Sequence, residues 1–279
     1  MKSTSPVYHF FITTLILSIS TFLCFKLNAQ EAITQYKKQP NRIRFSVSPV
    51  FYQPLHINNI GEPLLMSTPS FGGDASISYS QRLKGGFRIN GGIGWSIISY
   101  NYGYHFLIPP GSIFDTGSNQ VDYFTTHGTH LHNDQAAIIF PFSLQKIFTA
   151  KKNHSWQYNL ELGFKINFKQ LYPYSGSGSH LSYVEGQDYV EYFNMNIEST
   201  GDKRFTSYFF KAGLVKFNSR YNTWHCNLVY QYSPATIGTG AYYFSNLGFD
   251  SYGSLEQNAN YLGLEIIYGL TLSKKLLRA

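Results

Sequence analysis

From Trp156 to Phe168 the chain alternates between apolar and polar residues without a break. Trp156, Tyr158, Leu160, Leu162, Phe164, Ile166 and Phe168 take every second place, and Gln157, Asn159, Glu161, Gly163, Lys165 and Asn167 fill the gaps. A period of two predicts a strand with one apolar and one polar face. At ~3.3 Å per residue this strand is ~40 Å long, and a tilt of ~40° leaves ~30 Å of height. That height matches the hydrocarbon core of a bilayer.

The same alternation recurs seven times, over about 42–53, 71–83, 87–101, 135–148, 205–217, 222–233 and 259–273. In the first of these, Ile43, Phe45, Val47 and Phe51 oppose Arg44, Ser46 and Ser48. In the third, Phe87, Ile89, Ile93, Trp95 and Ile97 oppose Arg88, Asn90, Gly92, Gly94 and Ser96. Pro141 interrupts the fourth, where a missing backbone donor predicts a bulge or weakened pairing. Four connections are long (54–70, 102–134, 171–204 and 234–257) and alternate with three short ones at Lys84-Gly85-Gly86, 149–153 and 218–221. The pattern predicts an all-β fold, an eight-stranded antiparallel transmembrane β-barrel with short periplasmic turns and long extracellular loops. A soluble barrel with its apolar face inward also alternates. Three features favour lipid outside. The apolar face is too bulky and aromatic for an eight-stranded interior. The polar face mixes Gly, Ser and both charge signs. Trp156 and Trp224 open their strands on the turn side, where with Tyr230 and Tyr232 they are candidates for an aromatic girdle.

The N-terminus reads as an export signal. Lys2 precedes an apolar run from Phe10 to Phe25, and Leu27-Asn28-Ala29 offers cleavage before Gln30. The short apolar core argues against an uncleaved anchor helix, and Phe22-Leu23 before Cys24 argues against lipidation there. The expected organisation is a signal peptide over 1–29, a periplasmic lead-in over 30–41, a barrel over 42–273 and a periplasmic tail over 274–279. Cleavage leaves one cysteine, Cys226, so no intrachain disulfide staples the mature chain. No later run reaches the length of a transmembrane helix, and a closed barrel is the other structure that satisfies its backbone in lipid.

The net charge of +7 divides by side. The four long loops hold eleven acidic residues and two basic ones, Lys203 and Arg204. Many bases cluster near the turns and termini, among them Lys37, Lys38, Arg42, Arg82, Lys84, Lys146, Lys274 and Arg278. A basic periplasmic rim facing lipid phosphates accounts for the high pI without nucleic acid. Acidic loops suit a basic partner or divalent cations, or simply keep the loops solvated.

Several constellations are candidates for chemistry. Arg44, Asp74, Arg88, Glu161, Lys165, Lys211, His225 and Glu265 fall on polar faces and are expected to form a lumen network, in which pairing avoids the cost of isolated buried charge. His225 is expected to hydrogen-bond structurally, with Glu161 or Glu265 as candidate partners. His127, His130 and His132 lie near Asp122 and Asp134, a density that suits Zn²⁺ or Cu²⁺ although the spacing matches no strong motif. His180 beside Ser175, Ser177 and Ser179 is the nearest approach to a Ser–His pair, and a flexible linker is the better reading of that run. Tyr183, Tyr189, Tyr192, Tyr242, Tyr243 and Tyr252 enrich the loops in a residue that favours interfaces, or else cover one another over the barrel mouth.

With the strands placed, the chain resembles the small outer-membrane β-barrel family common in Bacteroidota, which includes PorT-like proteins. The resemblance rests on Ile138-Ile139-Phe140-Pro141-Phe142-Ser143-Leu144 followed by Lys146, and on Gly91-Gly92-Ile93-Gly94. Trp156 to Phe168 and the closing Leu262 to Leu270 add to it. These motifs are general barrel features, and the chain departs from the common aromatic ending by running through Lys274, Lys275 and Arg278 to Ala279. The resemblance implies a Gram-negative outer-membrane location and brings no catalytic residue or cofactor. The expected function is a non-enzymatic, porin-like monomeric barrel that sits in lipid and lipopolysaccharide and meets a protein partner through acidic, tyrosine-rich extracellular loops. A narrow solute or ion channel and a lipid-modifying enzyme are the alternatives.

Overall fold

The computed structural model describes residues 41–106, 124–126, 135–149, 156–169, 175–184, 187–200, 202–217, 222–247 and 251–272. The expected signal peptide, nearly all of the expected lead-in, the histidines at 127, 130 and 132 and the expected basic tail lie outside these residues. In chain order the strands are β1 (Arg42–Tyr52), β2 (His56–Gly61), β3 (Leu65–Thr68), β4 (Ser70–Arg82), β5 (Phe87–Ile98), β6 (Asn101–Phe106), β7 (Phe124–Thr126) and β8 (Gln135–Thr149). They continue with β9 (Trp156–Lys169), β10 (Ser175–Val184), β11 (Gln187–Ser199), β12 (Arg204–Phe217), β13 (Thr223–Tyr232), β14 (Thr236–Phe244), β15 (Ser251–Asn258) and β16 (Tyr261–Thr271).

Eight of them close into an antiparallel barrel in the order β1-β16-β13-β12-β9-β8-β5-β4. The closing seam pairs Arg42 with Thr271 and Tyr52 with Tyr261. The turn between β4 and β5 is a single tight helical turn, in which Gly85 and Gly86 take positive φ values of 70° and 82°. Only glycine adopts that conformation without strain.

The barrel is polar inside and apolar outside. On β9, Leu162 is 62% exposed while its neighbour Glu161 is 2% exposed. Phe45, Val47, Phe71, Ile93, Leu214 and Ile266 stand outward on the other strands. An exposed apolar band this large on a closed barrel marks a lipid-facing surface. The chain is a membrane-spanning β-barrel. Among the described residues no helix is long and apolar enough to cross a membrane.

Aromatic residues flank the band. Trp224 is exposed at the turn end of β13, 4.9 Å from the ring of Tyr268, whose hydroxyl accepts from Asn222 Nδ2 at 3.0 Å. Tyr230 and Tyr232 are exposed toward the loop end of the same strand, so they border the opposite membrane face from Trp224. Trp156 opens β9 opposite Lys216 and is described by its backbone alone. Near the turns, Lys146 lies over the Phe87 ring at 4.0 Å and donates to the Gly85 carbonyl at 2.5 Å.

Pro141 causes no bulge. The ladder between β8 and β5 keeps one register on both sides of it, Gly91 to Phe142 and Gly94 to Ile139, and skips Phe140 and Pro141. The pairing with β9 runs through without a break. The missing proline donor therefore weakens one side of the strand only.

The long connections differ most from the sequence reading. Their described parts are folded as sheets and not as loops. β10-β11-β14-β15-β2 form a five-stranded sheet, and β3-β6-β7 a three-stranded one. The run from Ser175 to Ser179, read as flexible, lies in β10, with Ser179 opposite Asn194 and His180 opposite Phe193. An apolar core that includes Leu65, Tyr102, Tyr104, Phe193, Met195 and Phe244 holds the two sheets together. Phe193 stacks at 4.4 Å from Tyr104 and 4.9 Å from Phe244. Burial, with Tyr104 beside it, pushes the Tyr102 phenol up to about 12.

Candidate functional site

Two regions are candidates: the lumen and the outer face of the five-stranded sheet. The lumen is filled by side chains from all eight strands, as the small radius of an eight-stranded barrel requires. Glu161 on β9 is its centre. It accepts from Arg44 Nη2 on β1 at 2.9 Å and from Ser143 Oγ on β8 at 2.7 Å, and Lys211 Nζ on β12 lies 3.7 Å away. Lys211 also donates to Glu265 Oε1 on β16 at 2.7 Å. An amide chain continues around the wall: Gln145 to Asn159 at 2.7 Å, Asn159 to Asn227 at 3.0 Å and Asn227 to Glu265 at 3.1 Å.

A second group lies nearer the loop end. Lys165 donates to Asp74 and, at 2.5 Å, to the Tyr261 hydroxyl, which itself donates to Asp74 at 2.6 Å. Phe209 is buried between the two lysines, 4.6 Å from Lys211 Nζ and 5.7 Å from Lys165 Nζ. Its ring is accommodated by Gly163, where a Cβ would come within 2.5 Å of it. Above these polar groups an apolar layer that includes Val50, Tyr52, Ile98, Phe205, Val229 and Ile237 closes the loop-side end.

Asp74, Glu161, Lys165, Lys211, Glu265 and Arg44 are thus brought together by ion pairs. Arg88 is buried on the same inner wall, where Nε and Nη2 donate to Ser80 at 2.8 and 3.1 Å. His225 is buried, but its ring bonds Thr223 Oγ1 at 3.0 Å and not Glu161 or Glu265. Arg42, assigned by the sequence to the basic rim, points inward and is buried. Its parity with Arg44 was the available signal. Phe209 and the apolar layer carried no such signal, because an inward aromatic breaks the polar side of the pattern.

The outer face of the five-stranded sheet is the second region. Tyr243, Tyr252 and Ile60 stand side by side in register across β14, β15 and β2. They are 43%, 47% and 55% exposed. Tyr243 donates to Glu191 Oε2 at 2.7 Å, a bond that raises its pKa. The next rows down the same face hold Asn196, Ala241, Ser254 and Asn58, then Glu198, Thr239, Glu256 and His56. Tyr192 and Tyr242, by contrast, are buried in the core beneath. The described residues include no group of three or more metal-ligating side chains, and His127, His130 and His132 lie outside them.

No family model and no curated protein sequence matches this chain. Among solved structures it is similar to a major outer membrane protein from Thermus thermophilus, at 12% identity over 83% of this chain and 99% of that one, with a TM-score of 0.37. It is also similar to the outer membrane protein OprG from Pseudomonas aeruginosa, at 9% identity over 84% and 98% of the two chains, with a TM-score of 0.41. The β domain of the Bordetella autotransporter BrkA is 7% identical over 84% and 100% of the two chains, with a TM-score of 0.24. The first two are outer membrane proteins. The barrel assignment here rests on this chain's own topology and surface.

Proposed function

We propose that this chain is an outer-membrane barrel of the kind its sequence resembles, acting by binding and not by catalysis or conduction. The observation that carries this reading is the Tyr243–Tyr252–Ile60 row, an exposed strip of two tyrosines and an isoleucine on a folded sheet beyond the barrel. Tyrosine supplies contact area at low entropic cost and dominates binding hot spots. Glu191, Glu198 and Glu256 flank the strip, and His56 is the only described side chain on these rows able to become cationic. The occupant that complements this charge is a protein partner with a basic surface. The buried apolar layer over the ion-paired lumen supports a barrel that does not conduct.

A photo-crosslinking side chain at Asn58, on the adjacent row, tests the reading in intact cells. A discrete protein adduct is expected, weakened about thirtyfold or more in a Tyr243→Ala/Tyr252→Ala variant, the loss typical of a hot spot. An absent adduct, or one indifferent to both substitutions, contradicts it. Planar-bilayer recordings are expected to show no stable single-channel steps, and steps abolished by lumen substitutions would favour a channel.

A further inference from the structure

The sheets beyond the barrel continue its wall. β10, β11, β14, β15 and β2 adjoin β9, β12, β13, β16 and β1 in the chain and keep their lateral order, and β3, β6 and β7 do the same for β4, β5 and β8. The seam between β1 and β4 is not continued. These two strands pair as far as Tyr52 and Ser70, but their continuations β2 and β3 form no ladder with each other. Among the described residues β2 is therefore an end strand of the five-stranded sheet.

The unpaired edge of β2 can be read residue by residue. A Cβ built on Gly253 of β15 would lie 2.0 Å from the Asn58 carbonyl oxygen, so this carbonyl points at β15. Successive residues of an antiparallel strand direct their backbone groups to opposite edges. Asn58 and its even-numbered neighbours thus face β15, while Ile57 and Asn59 direct N–H and C=O to the other side. Among the described residues no backbone hydrogen bond reaches Ile57 or Asn59 from that side. Natural edge strands are commonly guarded by Lys, Pro or a bulge. β2 reads His-Ile-Asn-Asn-Ile-Gly, keeps one register with β15, and is exposed at five of its six positions.

The Tyr243–Tyr252–Ile60 row ends on this edge, and so do the rows through Ser254 and Asn58 and through Glu256 and His56. We propose that the protein partner docks by adding an extended segment to β2 as a sixth, antiparallel strand. The inference rests on the binding role of this face and specifies how the partner is held. Main-chain hydrogen bonds to Ile57 and Asn59 supply attachment, and alternate side chains supply specificity. The partner residue opposite Ile60 is aliphatic or aromatic and lengthens the apolar row. The residue four places on, opposite His56, is Lys or Arg and extends toward Glu256, two strand spacings or ~10 Å away. β2 and β15 carry no Lys or Arg to oppose it. A second copy of this chain does not complete the edge. Two barrels in one membrane both send β2 away from the bilayer, so their β2 strands run the same way and cannot pair antiparallel.

The test uses the photo-crosslinking side chain at Asn58 in intact cells, with Asn59→Pro compared against Asn59→Ala. Tyr242 donates to Asn59 Oδ1, a bond that both variants lose, so they differ in the edge N–H. Proline also obstructs a ladder on its own side while leaving the β15 side paired. Adduct yield is expected to fall at least about tenfold in Asn59→Pro relative to Asn59→Ala. Mass spectrometry then locates the attachment on the partner. Moving the crosslinker from Asn58 to His56 is expected to shift that attachment two residues toward the partner's C-terminus, onto or beside a Lys or Arg. An adduct formed equally by both variants, or attachment sites that scatter over the partner, leaves the binding role standing and overturns strand addition. Absence of any protein adduct in the parent, or an adduct within this chain, overturns both. Should Asn59→Pro fail to assemble, the two-residue shift decides alone.

Discussion

Glu161→Gln is expected to destabilise the barrel by about 3–5 kcal/mol, the usual cost of removing one partner from a buried ion pair. The carboxylate serves Arg44, Lys211 and Ser143 at once. The neutral amide keeps the volume and loses the charge, leaving two cations facing each other in a closed lumen. Urea unfolding in vesicles, followed by tryptophan fluorescence, reads the loss directly. Arg44→Met is expected to cost less in the Glu161→Gln background than alone, since the pair is already broken. Equal costs in both backgrounds would show that the 2.9 Å contact contributes nothing to stability.

The second large effect lies one residue away, on the opposite face. Leu162→Arg is expected to cost about 2–4 kcal/mol, the penalty for arginine near the midplane on the lipid side of a barrel. Leu162 sits halfway along β9, between Leu144 on β8 and Phe210 on β12. Ser254→Arg, on the exposed face of the five-stranded sheet, is expected to stay within about 0.5 kcal/mol of the parent, as surface changes in water usually do. The two substitutions add the same charge to outward positions and differ in the solvent that receives it. A Leu162→Arg barrel as stable as the parent would mean that this surface faces water.

The barrel strands were legible in the sequence because lipid amplifies the alternation. An outward residue there is Phe45, Leu162 or Ile266, and its inward neighbour is Arg44, Glu161 or Glu265. Beyond the membrane the amplification stops. On β14 and β15 the outward residues include Thr239, Ala241 and Ser254, facing water with little contrast to the glycines between them. Segments of Gly, Ser and Asn then read as loops, although the chain continues as sheets over a core of Tyr104, Phe193 and Phe244. The same blindness applies at the loop-side mouth. Val50, Tyr52 and Tyr261 point inward and are aliphatic or aromatic, so both faces of their strands look alike. Sign and location alone group Arg42 with the rim lysines, whereas its parity with Arg44 turns it into the lumen.

Cys226 offers the most direct test of which solvent the apolar face meets. It stands outward on β13 between Leu214 and Ile266, and it is exposed. With Cys24→Ser leaving it as the single thiol, a nitroxide attached there in reconstituted vesicles reports collision with dissolved oxygen, which concentrates in hydrocarbon, and with a water-soluble nickel chelate. High oxygen and low nickel accessibility are predicted. The reverse order, with the label quenched by the nickel chelate, would contradict a lipid-facing surface and the transmembrane barrel with it.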